Sequence, residues 1–343
     1  MSRLMFVLSG EHRTLPAAEV EAAVKAERRT FKEVEQLDQV LVLETKAKPE
    51  ILASRLALCR EICYHLCTSG ATEEEILEAV GSSDIVDLLP HGKSFAVRIK
   101  RVKRSAPSID TIELAKKVAG MIAAEIDFKV DLLSPQLELL GVLTEDSCVF
   151  GITVAAVDRK QFTKRKPTAR PAFHPGTLNP ALARCMVNLA RTPRGGTFLD
   201  PFCGVGGILL EAGIIGAKLV GVDIDEKMIS GAKANLESMN IKDFQLMVGD
   251  ARKLPALAAD AVATDPPYGR QSSTAGIKLE ELYREALPSI AGALKKRGYL
   301  CITSPAGLEL NDLAASAGLV NVEQYEQRVH RSLTRQIYVF RRK

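Results

Sequence analysis

No apolar run in this sequence approaches the roughly eighteen consecutive residues a membrane-spanning helix requires, which excludes a helical integral membrane protein. The apolar start Met1–Leu8 is too short for a secretory leader and runs at once into Glu11, His12 and Arg13. A soluble cytoplasmic protein is the default expectation. Cysteine supplies no disulfide framework either, because seven residues at irregular spacing cannot all pair. Cys59, Cys63 and Cys67 recur every fourth residue, which on a helix aligns one face. A buried seam of small side chains explains that spacing better than a metal site does, so no metal is expected.

The modest net charge of +4 hides a strong segregation. Three stretches hold basic residues and no acid: Arg98, Lys100, Arg101, Lys103 and Arg104; then Arg159, Lys160, Lys164, Arg165, Lys166 and Arg170; then Arg328, Arg331, Arg335, Arg341, Arg342 and Lys343. The remainder of the chain is therefore acidic. A polyanion is the partner such segregation suits, and a loop at 265–269 shaped for a flat base favours nucleic acid as that polyanion.

Hydrophobic patterning predicts a small α/β unit first: a strand at 4–8, an amphipathic helix at 16–28 and two strands within 31–44 around Leu37-Asp38-Gln39. A helix over about 51–66 comes next, then one opened by Thr72 with Glu75 at capping-box spacing. Residues 94–104 alternate, with Phe95, Val97 and Ile99 on one face and Arg98 and Lys100 on the other, as in a half-buried strand with a basic wet face. A helix at 111–124 and a strand at 149–157 complete this second unit. Residues 158–180 turn basic and proline-rich, with Pro167, Pro171, Pro175 and Pro180, which reads as a linker that also touches ligand.

From there strands alternate with helices, the signature of a doubly wound parallel sheet. Strands are expected at 197–199, 218–222, 244–248, 261–264 and 299–303, with 320–325 and 336–340 closing the sheet. Helices are expected near 207–215, 226–238, 278–295 and 309–317.

Four of those strands end on an acid: Asp200, Asp223, Asp250 and Asp265. After Asp200 comes Pro201-Phe202-Cys203-Gly204-Val205-Gly206-Gly207, a turn whose glycines admit a ligand to the backbone at the edge where open α/β sheets bind ligands. Leu209 stands where a dinucleotide fingerprint needs its third glycine, so a pyrophosphate is a poor fit. Asp265-Pro266-Pro267-Tyr268-Gly269 is a stiff loop, since adjacent prolines fix the backbone and donate nothing. Its carboxylate, carbonyls and ring suit a flat heterocycle bearing an amino group. An adenosyl ligand with a cationic centre suits the other acids: Asp223 for ribose hydroxyls, Asp250 with the Ala251 amide for adenine, Gly204 and Gly206 for the amino-acid part.

In these residues the sequence resembles the class I S-adenosylmethionine-dependent methyltransferases. Asp265-Pro266-Pro267-Tyr268 is similar to their amino-group-methylating motif, and Asp-Pro-Phe-Cys-Gly-x-Gly-Gly to the turn of the subgroup joined to a THUMP domain, with Val205 where threonine is usual. Phe95–Arg101 and Asp131-Leu132-Leu133-Ser134-Pro135 resemble the THUMP domain itself, whose implied partner is the acceptor end of tRNA. Arg165-Lys166-Pro167 through Arg170-Pro171, His174-Pro175-Gly176-Thr177-Leu178, Val187-Asn188-Leu189-Ala190 and Asp265–Ser272 resemble the archaeal tRNA guanine-N2 methyltransferases acting on position 10.

The resemblance implies an α/β chain with a ferredoxin-like unit at 1–54, a THUMP domain at 55–157, the linker at 158–180 and a Rossmann-like methyltransferase domain at 181–343. It implies S-adenosylmethionine held by Thr177, Asp200, Cys203, Gly204, Gly206, Asp223, Ile224, Asp250 and Ala251. Asp265, Pro266 and Tyr268 would be catalytic, and tRNA would be met by Lys100, Arg101, Lys103, Arg104, Arg159, Lys160, Lys164, Arg165, Lys166 and Arg170. The acceptor loop by itself specifies only an amine and a ring. Another RNA or DNA base, or an inert RNA-binding protein, are therefore the alternatives, and an activator subunit is left open.

Overall fold

The structure, a computed structural model, describes residues 2–88, 92–125, 129–268, 278–330 and 333–343. Two compact units make up the chain: one of residues 1–17, 29–54 and 59–158, the other of 18–28, 55–58 and 159–343.

The first unit is built on an eight-stranded sheet. Its strands are β1 (Ser2–Leu8), β2 (Phe31–Leu37), β3 (Val40–Thr45), β4 (Cys59–Gly70), β5 (Ser94–Arg101), β6 (Lys129–Val130), β7 (Leu137–Thr144) and β8 (Ser147–Ala156), in the order β2-β3-β1-β4-β8-β7-β5-β6. β5 runs parallel to β6 and β7, and the other pairings are antiparallel. The hydrophobic faces of helices Glu73–Gly81 and Thr111–Glu125 bury Ile76, Val80, Leu114, Val118 and Ile122 against Phe95, Val97, Leu139 and Phe150. Thr72 and Glu75 make the expected capping box, so the first of these helices starts where the sequence signals it.

The helix expected over 51–66 is corrected by the structure. A helix runs only over Pro49–Arg55, and Cys59, Cys63 and Cys67 lie on the strand β4. β4 pairs along its length with β8 and partly with β1, and these ladders outweigh a weak local helical period. β7 has no counterpart among the strands that patterning predicts. It is largely apolar apart from Glu138 and Thr144, and an added Cβ at its Gly141 would stand 2.6 Å from the Phe150 ring and 2.7 Å from Ile99, so the glycine is there to let those side chains pack.

The second unit carries a seven-stranded sheet: β9 (Thr197–Asp200), β10 (Lys218–Asp223), β11 (Phe244–Val248), β12 (Ala259–Thr264), β13 (Leu294–Pro305), β14 (Leu319–His330) and β15 (Leu333–Arg342). The order is β11-β10-β9-β12-β13-β15-β14, with the first five strands parallel and the β15–β14 hairpin antiparallel. Strand succession reverses between β9 and β12, the switch point at which open α/β sheets leave a crevice beyond their carboxyl ends. Helices Gly207–Ile214, Glu226–Ser238, Leu279–Ala293 and Asn311–Ser316 fall where the alternation places them. The sequence reading missed Pro180–Leu189, although Asn179 caps it by accepting from the Ala181 amide and Pro180 occupies its first turn. Among the described residues no helix is long and apolar enough to cross a membrane.

Candidate active site

A cleft of about 1080 Å³ opens at the carboxyl ends of the parallel strands of the second unit. Asp200, Asp223, Asp250 and Asp265 all line it, together with Thr177, Cys203, Gly204, Ile224, Ala251, Pro266 and Tyr268. The acids arrive there because parallel strands end on one edge, so residues well separated in sequence meet at one rim. Gly206, the remaining glycine of the expected set, stands at the start of helix Gly207–Ile214 with φ +78°, and a Cβ there would press on Ala232 at 3.1 Å.

Each acid is held differently. Asp223 ties the glycine turn to β10: its Oδ2 accepts from the Gly204 amide at 2.8 Å and its Oδ1 from the Asp225 amide at 3.0 Å. Asp250 caps the short turn after β11 by accepting from the Arg252 amide. The Arg252 guanidinium folds onto the same carboxylate and holds it below the usual carboxylate range. Cap and rim acid are thus one residue here. Asp200 is buried, and its Oδ1 accepts from the Thr264 hydroxyl at 2.7 Å, linking the two strands at the switch point. Burial pushes its carboxyl up to about 7; bonds from Thr264 and Phe202 oppose the shift, and the neighbouring Asp223 and Asp265 reinforce it.

The acceptor loop is ordered by polar contacts as well as by proline. Asp265 Oδ1 accepts from the Tyr268 hydroxyl at 2.5 Å and from the Thr303 hydroxyl of β13. Arg335 of β15 donates from Nε to the Tyr268 oxygen at 2.6 Å, and its Nη2 lies 3.6 Å from Asp265 Oδ2. Burial, and then the adjacent Asp265 carboxylate, raise the Tyr268 phenol far above its usual range, so it stays protonated. Gly269 to Thr274, adjoining this loop in the sequence, lie outside the described residues, as does Arg331.

Sequence reasoning missed Thr303 and counted Arg335 only as one of a surface cluster. No local signal separates Arg335 from Arg341 or Arg342; only the register of β15 opposite Pro305 turns it towards the loop.

The glycine turn has room for a ligand. A Cβ built at Gly204 would meet no atom of the described residues beyond its chain neighbours within 4 Å, so the backbone there faces open cleft. Beside Gly207 lies the guanidinium of Arg170, whose two Nη atoms are buried without a hydrogen-bond partner. Its charge adds to the positive end of the helix dipole at this turn. A ligand with a cationic centre among carboxylates and an anionic end towards this turn matches that donor set.

The expected RNA contacts divide sharply. Arg165 and Arg170 are buried. Arg165 places Nε and Nη2 on Glu211 at 2.7 and 2.9 Å, beside Arg184, and Arg170 Nε donates to the Arg165 carbonyl. Desolvating such a pair is worthwhile only when both partners are present, so Arg165 is committed to Glu211, while the Arg170 guanidinium is buried at the glycine turn. Lys100 is paired with Glu61 and Lys103 with Asp38, and Arg101 donates to the Ile109 carbonyl. Arg104, Lys160, Lys164 and Lys166 are exposed, and Arg159 is half-buried. Among the described residues no three His, Cys, Asp or Glu side chains cluster as a metal would require.

Residues 167–337 match the family model described as RMKL-like, methyltransferase domain, and residues 70–153 match the THUMP domain. The chain is 37% identical to the tRNA (guanine(10)-N2)-dimethyltransferase of Methanothermobacter thermautotrophicus, over 99% of each chain. It is 36% identical to the enzyme of the same name from Pyrococcus abyssi, over 94% of each. In fold it resembles the crystal structure of TrmN from Thermus thermophilus, with a TM-score of 0.55 at 20% identity over 99% of this chain and 100% of that one.

Proposed function

The chain belongs to the family of the tRNA (guanine(10)-N2)-dimethyltransferases, and from that membership we propose how its cleft methylates the exocyclic N2 amine of a tRNA guanosine. S-adenosylmethionine is the methyl donor and supplies an electrophilic methyl carbon next to a sulfonium. Asp223, Asp250, Ala251 and Ile224 would line the adenosyl side, and Gly204, Gly206, Cys203, Thr177 and Asp200 the amino-acid side.

The guanine amine is a poor nucleophile, since its lone pair is shared with the ring. Hydrogen bonds from its two protons to the Asp265 carboxylate and the Pro266 carbonyl localise that pair and aim it. With the donor bound, that nitrogen would take the methyl group released from the sulfonium sulfur, and one amine proton would be set free. Asp265 orients the amine and relays that proton. Holding the two reactants in line supplies most of the acceleration.

Tyr268 offers its ring face to the base. Extruding a base costs a few kcal/mol and an aromatic stack returns about 1–3 kcal/mol, so the two roughly cancel. Net affinity then has to come from phosphate contacts, for which Arg104, Lys160, Lys164 and Lys166 are the exposed candidates.

The observation that carries this reading is the meeting of Asp265 and Tyr268 with Asp200, Asp223 and Asp250 in one cleft. Transfer of a labelled methyl group from S-adenosylmethionine to purified tRNA, followed by nucleoside analysis, tests it. N2-methylated guanosine is expected, and the same analysis counts one methyl group or two. Label on adenosine or cytidine, or none on tRNA, would overturn it.

A further inference from the structure

We infer that Arg335 is a positioning residue for methyl transfer, fixing Asp265 and Tyr268 in the one arrangement that leaves Asp265 Oδ2 for the substrate amine. The inference rests on the acceptor role proposed above for Asp265.

Hydrogen-bond direction is what makes the arrangement unique. A guanidinium has donors only, so the Tyr268 oxygen must accept from Arg335 Nε. The single phenolic proton is then free to point at Asp265, and it does so at Oδ1. The Thr303 hydroxyl also donates to Oδ1. Oδ1 thus carries two neutral donors, whereas Oδ2 has Arg335 Nη2 at 3.6 Å, an ion-pair distance rather than a hydrogen bond. Among the described residues Oδ2 accepts no hydrogen bond, so an incoming N–H finds its open acceptor there.

Arg335 is buried, unlike an arginine that serves phosphate. Among the described residues its other polar side-chain contact is Nη1 to Gln327 Oε1 of β14 at 3.4 Å, and its Cζ stands 5.5 Å from the Tyr268 ring centroid. The elements around the pair bring the ionisable groups Asp200 from β9 and Tyr283 from helix Leu279–Ala293, besides Asp265 and Tyr268 themselves. The Tyr283 hydroxyl is committed to the Thr303 carbonyl at 2.8 Å, and Asp200 to Thr264. Arg335 is therefore the cation that faces Asp265 among the described residues.

The test compares wild type with Arg335→Lys and Arg335→Gln on tRNA. It measures single-turnover rate, KM for tRNA, S-adenosylmethionine affinity by calorimetry, and melting temperature. Arg335→Gln should lower the rate about 100-fold, with KM for tRNA and cofactor affinity each within about 2-fold. Arg335→Lys should lose only about 10-fold in rate, since one ammonium keeps a cation beside Asp265 but cannot also donate to Tyr268 in the same geometry. Combining Arg335→Lys with Tyr268→Phe should cost no more than the larger single loss, because both break the same bridge.

Unchanged rates in both variants would overturn the inference. So would cofactor affinity falling in step with the rate. The nucleoside that wild type methylates reports separately on the proposed function, because the variant-to-wild-type ratio is taken on that nucleoside whichever it is.

Discussion

The Tyr268 phenol closes the double-proline turn by donating a 2.5 Å hydrogen bond to Oδ1 of Asp265, three residues back. The ring that would stack on the base and the carboxylate that would hold its amine therefore move as one piece. Removing the carboxylate should disable chemistry without disturbing the cofactor side of the cleft. Asp265→Ala is expected to lower the single-turnover rate by about 1000-fold, roughly 4 kcal/mol, while S-adenosylmethionine affinity measured by calorimetry stays near wild type. Full activity in that variant would remove Asp265 from the mechanism.

Ring and hydroxyl of Tyr268 are separable. Tyr268→Phe keeps the stacking surface and loses the bridge, so it should reduce kcat by about 10-fold with little change in KM for tRNA. Tyr268→Ala also loses a stack worth about 1–3 kcal/mol and should raise KM. Steady-state kinetics on the pair distinguishes them, and equal effects would mean that the ring does not meet the base.

Asp200 ties stability to pH. Its folded carboxyl titrates at about 7 against an ordinary 3.8, chiefly because it is buried. The folded chain therefore holds a proton that the unfolded chain has already lost. The stabilisation is fully present below about pH 4 and falls away as pH rises towards 7. Melting temperatures from about pH 5 to pH 8 should fall more steeply in wild type than in Asp200→Asn. Parallel curves would show that Asp200 is ionised throughout.

The basic residues should sort by burial rather than by sequence neighbourhood. Lys164→Ala with Lys166→Ala removes two exposed charges and should flatten the log–log salt dependence of tRNA binding by about one unit for each phosphate these lysines neutralise. Lys100→Ala should change that slope little, since Lys100 already faces Glu61. A filter-binding titration over salt reads both, and an unchanged slope in the double variant would make 164–166 a merely solvated face.

Arg165→Ala is expected to act on folding instead. It strips a bidentate partner from the buried Glu211, leaving Arg184 alone to compensate, and a broken buried pair costs about 3–5 kcal/mol. Denaturant unfolding should show that loss, and a melting temperature equal to wild type would contradict the pairing.

What the sequence determined by itself was whatever local chemistry announces. The strand–helix alternation of 197–340 is legible because apolar runs and turn residues recur at short intervals. Asp200, Asp223, Asp250 and Asp265 are legible because each follows such a run. The stiffness of Pro266-Pro267 is a covalent property. Tertiary structure alone decided β4, where ladders to β1 and β8 override a helical spacing of Cys59, Cys63 and Cys67. It also decided which charges face outward. In sequence Arg165 and Lys166 are neighbours in one basic stretch, yet one is buried on Glu211 and the other is exposed. Arg335, read as one more cation near the end of the chain, is brought by the register of β15 to the carboxylate of Asp265. Charge is written in the sequence, but its partner is set by which strands lie side by side, and that depends on pairings made far apart along the chain.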